Sequence, residues 1–250
     1  MNQNISLFNR IVILTGAGIS AESGIPVFRS ETGLWEEHKV EDVATYEGFY
    51  RNKELVHNFY NDRRDASLKA EPNEAHKAIA RLQKYWQEHG GSVFLVTQNI
   101  DNLHEKGGSS QVCHMHGELL SLLCEKCGYR YPFNLHSSVD SICPKCKEKS
   151  MRPDIVWFGE MPYFMDEIES ELLKCSLFVS IGTSGVVYPA AGFCSIAASK
   201  GATTLELNLN KTGMSSNFSY KMKGKASVTM KALSDGLIEG KDFLDIVKAY

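Results

Sequence analysis

The chain has 250 residues, of which 43% are hydrophobic and 23% charged, with a formal net charge of −3. That composition suits one soluble domain with a sizeable core and room for a smaller insertion. It offers no global basic field for nucleic acid, and no apolar run approaches the ~20 residues that cross a bilayer. The short polar N-terminus, Met1 to Asn9, lacks an apolar signal region, so a cytoplasmic protein is expected, with neither nucleic acid nor membrane as partner.

The first strand candidate is Ile11-Val12-Ile13-Leu14, whose β-branched residues suit a buried parallel strand. It runs into Gly16-Ala17-Gly18-Ile19-Ser20-Ala21. A strand followed by G-x-G-x-x-A is the order of a dinucleotide-binding turn. The first glycine permits the tight turn, the second lets backbone approach a pyrophosphate, and the third small residue lets a helix pack close. An ordinary turn is the competing reading. Pro26 stands five residues past Ala21 and stops any long crossover helix there. The stretch Gly24-Ile25-Pro26-Val27-Phe28-Arg29, continuing to Trp35, reads instead as a lid beside the phosphate site.

Residues 36–70 lack a strand-like run and read as a helical insertion. Within it, Tyr60 and Arg63 are three apart and share a helix face. A phenol and a guanidinium converging on one point can receive a carboxylate; an amphipathic helix with an incidental pair is the alternative. Pro72-Asn73 then opens a helix through Ala75, Ala78, Ile79 and Leu82 that ends near Gly90-Gly91 and suits a sheet cover.

Val93 to Thr97 is a second buried strand, and Gln98-Asn99-Ile100-Asp101 hangs from its carboxyl end. Ligands of open α/β sheets sit there, so Asn99 and Asp101 are candidates for holding an amide and for facing a developing cation. A helix N-cap is the other use for them. Cys113-His114-Met115-His116-Gly117 follows, with His116 a candidate general base.

Seven cysteines include two Cys-x-x-Cys pairs, Cys124/Cys127 and Cys143/Cys146, with 15 residues between them. An odd count with this spacing fits a reducing compartment and a four-cysteine zinc ribbon better than disulfides. Four thiolates close the coordination sphere, so the zinc is expected to be structural, and Lys126, Arg130, Lys145 and Lys147 to offset its negative charge. Cys113, Cys175 and Cys194 read as small buried hydrophobes.

Beyond the ribbon, Arg152 to Glu160 is expected to resume the sheet. Leu177 to Ile181 is a further strand, ending in Gly182-Thr183-Ser184, where phosphate contact and an N-cap are both open readings. Tyr188-Pro189-Ala190-Ala191 opens a helix. Thr203 to Leu207 leads into Asn208-Leu209-Asn210, Lys225 to Val228 reads as a last short strand, and a helix through Phe243 and Val247 covers the sheet.

Together these pieces resemble the sirtuin family of NAD-dependent protein deacylases. The matching residues are Gly16-Ala17-Gly18-Ile19-Ser20, Gly24-Ile25-Pro26 with Phe28-Arg29, Thr97 to Asp101, His116-Gly117, the cysteine pairs, Val156 to Glu160, and Gly182-Thr183-Ser184. Tyr60-x-x-Arg63 is similar to the signature of the class III members, in which the pair accepts the distal carboxylate of succinyl- or malonyl-lysine. Val27 and Gly185 stand where the family often has threonine and serine, which touches loop and nucleotide contacts but not the chemistry.

The resemblance implies a Rossmann-like parallel sheet with helices on both faces, formed by residues 1–35, 71–120 and 151–250. It also implies a small lobe built from a helical part, 36–70, and a zinc-ribbon part, 121–150. NAD would contact Gly16 to Ala21, Pro26, Phe28, Arg29, Trp35, Gln98 to Asp101, Gly182 to Ser184, Asn208 to Asn210 and Ala226. Val156, Trp157 and Phe158 would pair with an extended substrate peptide. The acyl oxygen would attack the nicotinamide ribose, Asn99 and Asp101 would hold the nicotinamide side, and His116 would act as base on the ribose hydroxyls. The products would be nicotinamide, free lysine and O-acyl-ADP-ribose. A monomer is expected. The rival readings are a mono-ADP-ribosyltransferase, a non-catalytic NAD-sensing module and, weakest, a zinc-ribbon nucleic-acid binder.

Overall fold

The structure is a computed structural model describing residues 2–26, the backbone of 34–35, and residues 38–250. Val27, Phe28 and Arg29, and the side chain of Trp35, lie outside the described residues.

Helix α1 (Gln3–Leu7), capped by the Asn2 side chain, precedes strand β1 (Arg10–Thr15). The glycine-rich turn after β1 forms two short 3-10 turns, Ala17–Ile19 and Ala21–Ser23. Gly24 ends the second in the left-handed region at φ 81°, which only glycine adopts without strain. Strands β2 (Leu34–Trp35) and β3 (His38–Lys39) pair antiparallel ahead of α2 (Val40–Val43), α3 (Tyr46–Arg51) and α4 (Lys53–Lys69). Asn73 caps α5 (Glu74–Glu88), and β4 (Ser92–Thr97), α6 (Leu103–Lys106) and β5 (Cys113–His114) follow. Then come β6 (Gly117–Cys124), β7 (Arg130–Pro132), β8 (Met151–Ile155) and α7 (Met165–Leu172). The chain closes with β9 (Leu177–Ile181), α8 (Phe193–Ser199), β10 (Thr203–Asn208), β11 (Tyr220–Lys223), α9 (Ala226–Ile238) and α10 (Phe243–Lys248).

Six strands make one parallel sheet in the order β11-β10-β9-β1-β4-β5. The β1 and β9 runs are apolar because helices cover both faces. Ile11 and Ile13 pack with Ile79, Leu82, Leu233 and Leu237 on one side; Val12 and Leu14 pack with Leu172 and Phe193 on the other. Strand order reverses between β1 and β9, which is the switch point at which such sheets bind ligands.

The second body is an antiparallel sheet in the order β7-β6-β8, packed on α2 to α4 through Val43, Phe49, Phe59, Tyr60, Leu119, Ile155 and Trp157. Here two sequence expectations are corrected. Arg152 to Ile155 does not resume the parallel sheet: β8 pairs with β6, and Gly117 permits the contact. A Cβ there would lie 2.0 Å from the Asp154 carbonyl oxygen. Lys225 to Val228 is not a strand either. Ala226 begins α9, whose first turn is held by Ser227 N and Oγ donating to Glu22. The last strand is Tyr220–Lys223, an edge strand with Met222 turned to the core and its lysines outward. That alternation blunts the open edge.

Candidate active site

The turns leaving β1, β4 and β9 meet at the switch point. Gly16 N donates to Ile181 O at 3.0 Å and Gly18 N to Gly182 O at 2.9 Å. A Cβ on Gly16 would stand 2.9 Å from Gly182 O, and one on Gly18 2.7 Å from Gly182 Cα. Both glycines are therefore needed to seat one turn on the other. Asn208, at the end of β10, donates from Nδ2 to Thr183 O at 2.8 Å and braces the same turn.

Beneath these turns the side chain of Ser20 is fully buried. Its hydroxyl donates to Asp101 Oδ2 at 3.0 Å and accepts from Asn99 Nδ2 at 3.1 Å. Asp101 Oδ1 also accepts from Leu103 N at 3.1 Å, and the residue lines the cavity described below. Burial pushes the Asp101 carboxyl up; the Leu103 N–H and Ser20 hydroxyl oppose that.

His116 donates from Nδ1 to the Gln98 carbonyl at 3.1 Å. A carbonyl only accepts, so Nδ1 holds the proton and Nε2 keeps its lone pair. Burial lowers the His116 pKa, and the Gln98 carbonyl partly offsets it. His114, two residues earlier, turns elsewhere: Nε2 meets Glu105 Oε1 at 2.8 Å and Nδ1 meets Asn99 O at 3.2 Å. Burial alone would lower its pKa, but Glu105 carries it above the ordinary value.

Around His116 lies a cavity of about 260 Å³. Its walls are Gly16, Ala17, Ile25 and Pro26 from the first turn, Gln98 to Asp101 from the second, and Gly182 to Ser184 with Val187 and Tyr188 from the third. The other side of the cavity is made by Ala44 and Tyr60 from the helical insertion and by Pro162 and the segment from Ile155 to Glu160 after β8. Gly18, Ile19, Ser20, Ala21, Asn208, Leu209, Asn210 and Ala226 are not among the residues that line it; Asn208 ends β10 and Ala226 begins α9. Tyr60 is fully buried, and its hydroxyl accepts from Trp157 Nε1 at 3.1 Å. Arg63 is not part of the wall; its Nη1 donates to Phe59 O at 2.7 Å and its guanidinium lies over the Phe59 ring.

The segment opposite His116 is tightly anchored. Val156 N donates to His116 O and Phe158 N to Ala44 O, each at 2.9 Å, and Trp157 N donates to Glu160 Oε2 at 2.8 Å. Sequence reasoning missed Glu160 and its partner Arg152, whose Nη2 meets Glu160 Oε1 at 2.6 Å. It also missed a layer behind the site. Thr15 and Thr97, facing each other in the β1–β4 register, share a hydrogen bond of 2.8 Å, and His104 Nε2 joins Thr15 Oγ1 at 2.9 Å. His76 packs on His104 with ring centroids 5.0 Å apart. The one signal for that layer was a threonine ending both strands.

The four ribbon cysteines gather with all Sγ atoms within 4.8 Å of one another. Cys124 and Cys146 are 3.6 Å apart, and Cys127 and Cys143 3.7 Å. A disulfide needs about 2.05 Å. Tetrahedral zinc with Zn–S bonds near 2.3 Å spaces its sulfurs by about 3.8 Å, which these distances fit. None of the four lines the cavity, so a zinc held here braces the ribbon.

Comparison with known proteins agrees with this geometry. The model of the Sir2 family matches residues 16–189. The chain is 51% identical over 236 residues to an NAD-dependent protein deacylase of Vibrio parahaemolyticus, covering 92% of this chain and 96% of that one. It is 49% identical over 237 residues to the NAD-dependent protein deacylase SIR2rp3 of Trypanosoma brucei brucei, with the same coverage. Among solved structures, a Sir2 homologue in complex with NAD superposes with a TM-score of 0.85 at 35% identity, covering 95% of this chain and 92% of that one. Sir2 bound to acetylated peptide superposes with a TM-score of 0.79 at 30% identity, covering 94% and 97%. The protein belongs to the Sir2 family, the sirtuins.

Proposed function

We propose that this chain removes acyl groups from protein lysines at the expense of NAD+. The observation that carries the reading is His116: a histidine held as the Nδ1–H tautomer, with a basic Nε2, at the meeting point of the glycine turns and the small-lobe segment. The cradle at the switch point fits a dinucleotide, since bare glycine and alanine backbone forms its floor and two uncharged side-chain hydroxyls, Thr183 and Ser184, its rim. The names of the curated relatives and the NAD complex of a structural neighbour support the same reading. NAD+ bound there supplies an electrophilic ribose carbon with nicotinamide as leaving group.

The residues then divide the work. Asn99 and Asp101, locked together through Ser20, present an amide and a carboxylate to the nicotinamide end. His116 Nε2 takes a proton from a ribose hydroxyl and returns it later, general acid–base work in a half-buried site. Val156 to Phe158 flank an extended acyl-lysine peptide. Tyr60, with Arg63 one turn away on α4, receives the distal end of the acyl group, so succinyl- and malonyl-lysine are substrates alongside acetyl-lysine. The zinc ribbon holds its metal away from the reacting atoms.

The test is product analysis with NAD+ and peptides carrying acetyl-, malonyl- or succinyl-lysine. We expect nicotinamide release that depends on the acylated peptide, free lysine, and O-acyl-ADP-ribose by mass spectrometry. A peptide or protein carrying ADP-ribose in their place would overturn the reading in favour of a transferase.

A further inference from the structure

We infer that His114 is a positioning residue: as an imidazolium it staples the two ends of segment 99–105 together and so holds Asn99 and Asp101 at the nicotinamide end of the cleft. The inference rests on the deacylase reading above, in which those two side chains face the leaving group, and concerns what keeps them there. Nδ1 of the His114 ring stands 3.2 Å from the Asn99 carbonyl oxygen, and Nε2 stands 2.8 Å from Glu105 Oε1. A carbonyl and a carboxylate only accept hydrogen bonds. A neutral imidazole has one N–H and would turn a lone pair towards one of them, whereas the imidazolium donates to both. The ring is buried, which makes a mismatched contact there costly.

The fold explains why one ring spans that segment. β5 lies at the edge of the sheet and pairs His114 with Thr97, the last residue of β4. Segment 99–105 follows β4, lines the cavity as far as Asp101 and turns into α6, which carries Glu105. Asp101 stands between the two anchors, with Oδ1 on Leu103 N and Oδ2 on the Ser20 hydroxyl. Besides Glu105, the titratable groups that act on the ring are Glu118 on β6, Asp101 itself and His104 on α6, which burial keeps neutral. Burial pulls the His114 pKa down, but Glu105, Glu118 and the Asn99 carbonyl carry it above 6.5. In return the cation draws the Asp101 carboxyl down against the burial that raises it. His116, two residues on, is shifted by burial in the opposite direction. The run His114-Met115-His116 thus carries a cation and a neutral base at the same pH. A histidine that merely filled space behind the site would tolerate the loss of its charge.

The kinetic signature is an alkaline limb. As pH rises through a value above 6.5 the ring gives up its second proton and one of its two bonds, and kcat/KM for NAD+ at saturating acetyl-lysine peptide falls. Glu105→Gln removes the carboxylate that holds the proton, so the limb should move to lower pH. His114→Gln should lack the limb and run about tenfold below wild type at neutral pH, as loss of a hydrogen bond from a charged donor would. Long-range 1H–15N spectra of the histidine rings give the second readout. At pH 7 His114 should carry protons on both nitrogens, and should lose one at lower pH in Glu105→Gln than in wild type. A His114 ring neutral at pH 7, a wild-type profile with no alkaline limb, or a limb at one pH in wild type and both variants would overturn the inference while leaving the deacylase reading intact. Absence of turnover on every acyl peptide would instead strike the deacylase reading, and the ring spectra then decide the inference. If His114→Gln fails to fold, Glu105→Gln, a change at a half-exposed carboxylate, decides alone, and an unmoved limb overturns the inference.

Discussion

At the scale of single residues, His116 owes its competence to a bond it makes away from the chemistry. The Gln98 carbonyl fixes the tautomer, and burial holds the pKa below the ordinary 6.5. A base whose pKa is lowered stays neutral into mild acid, so the acid limb of kcat/KM is expected to fall below pH 6.5. A limb centred above that value would assign it to another group. His116→Ala should keep fold and zinc content while losing roughly 10²–10⁴ in turnover, which steady-state assays read directly. Arg63 differs, because its guanidinium rests on the Phe59 carbonyl and ring. If it turns to meet an acyl carboxylate, Arg63→Met lowers desuccinylation by ~100-fold or more, since a carboxylate stripped of a buried partner costs on the order of 3–5 kcal/mol. Deacetylation should suffer far less; equal losses on both peptides would make Arg63 a structural residue.

Among the elements, β6 and β8 connect the ribbon to the cleft. β6 starts at Gly117, next to His116, and ends at Cys124; β8 starts beside the ribbon and ends at Ile155, next to Val156. Eight residues of strand span roughly 25 Å, so a zinc at one end can brace both walls of a cleft that it never touches. Stripping the metal with a chelator is therefore expected to abolish turnover, and zinc should restore it; a zinc-free protein with full activity would refute this coupling. The same elements show how far local pattern reaches. Ile11 to Leu14, Val93 to Thr97 and Leu177 to Ile181 were legible as strands because burial on both faces leaves a continuous apolar run. Tyr220–Lys223 was not, since an edge strand alternates and its lysines resemble a loop. The partner of β8 was illegible too. Pairing is decided by the bare backbone of Gly117, more than 30 residues away, and not by anything within Met151 to Ile155. In the site, motif residues were legible one by one, whereas the clasp of Arg152 on Glu160 and the Thr15–Thr97–His104 layer exist only through tertiary contact.

Taken as a whole, the molecule sets a neutral, buried histidine layer beneath a polar cleft, and that carries a cost in acid. Burial lowers His76 from 6.5 to about 4, with Glu105 opposing, and lowers His57 in the small lobe likewise to about 4. The unfolded chain binds these protons first, so stability is full above pH 6.5 and is lost as pH falls towards 4. At pH 5 each contributes a loss on the order of 2 kcal/mol. The urea midpoint should drop between pH 7 and pH 5, and by less in His76→Gln; an equal drop in that variant would remove His76 from the explanation. The larger claim is that the cleft joins two lobes so that a ribose carbon, an acylated lysine and an imidazole meet. A crystal structure of the complex with NAD+ and an acetyl-lysine peptide tests this most directly. We expect the ribose hydroxyls of the nicotinamide end within hydrogen-bond reach of His116 Nε2, and the acyl-lysine seated beside Trp157. A complex with that ribose turned away from His116 would contradict the account.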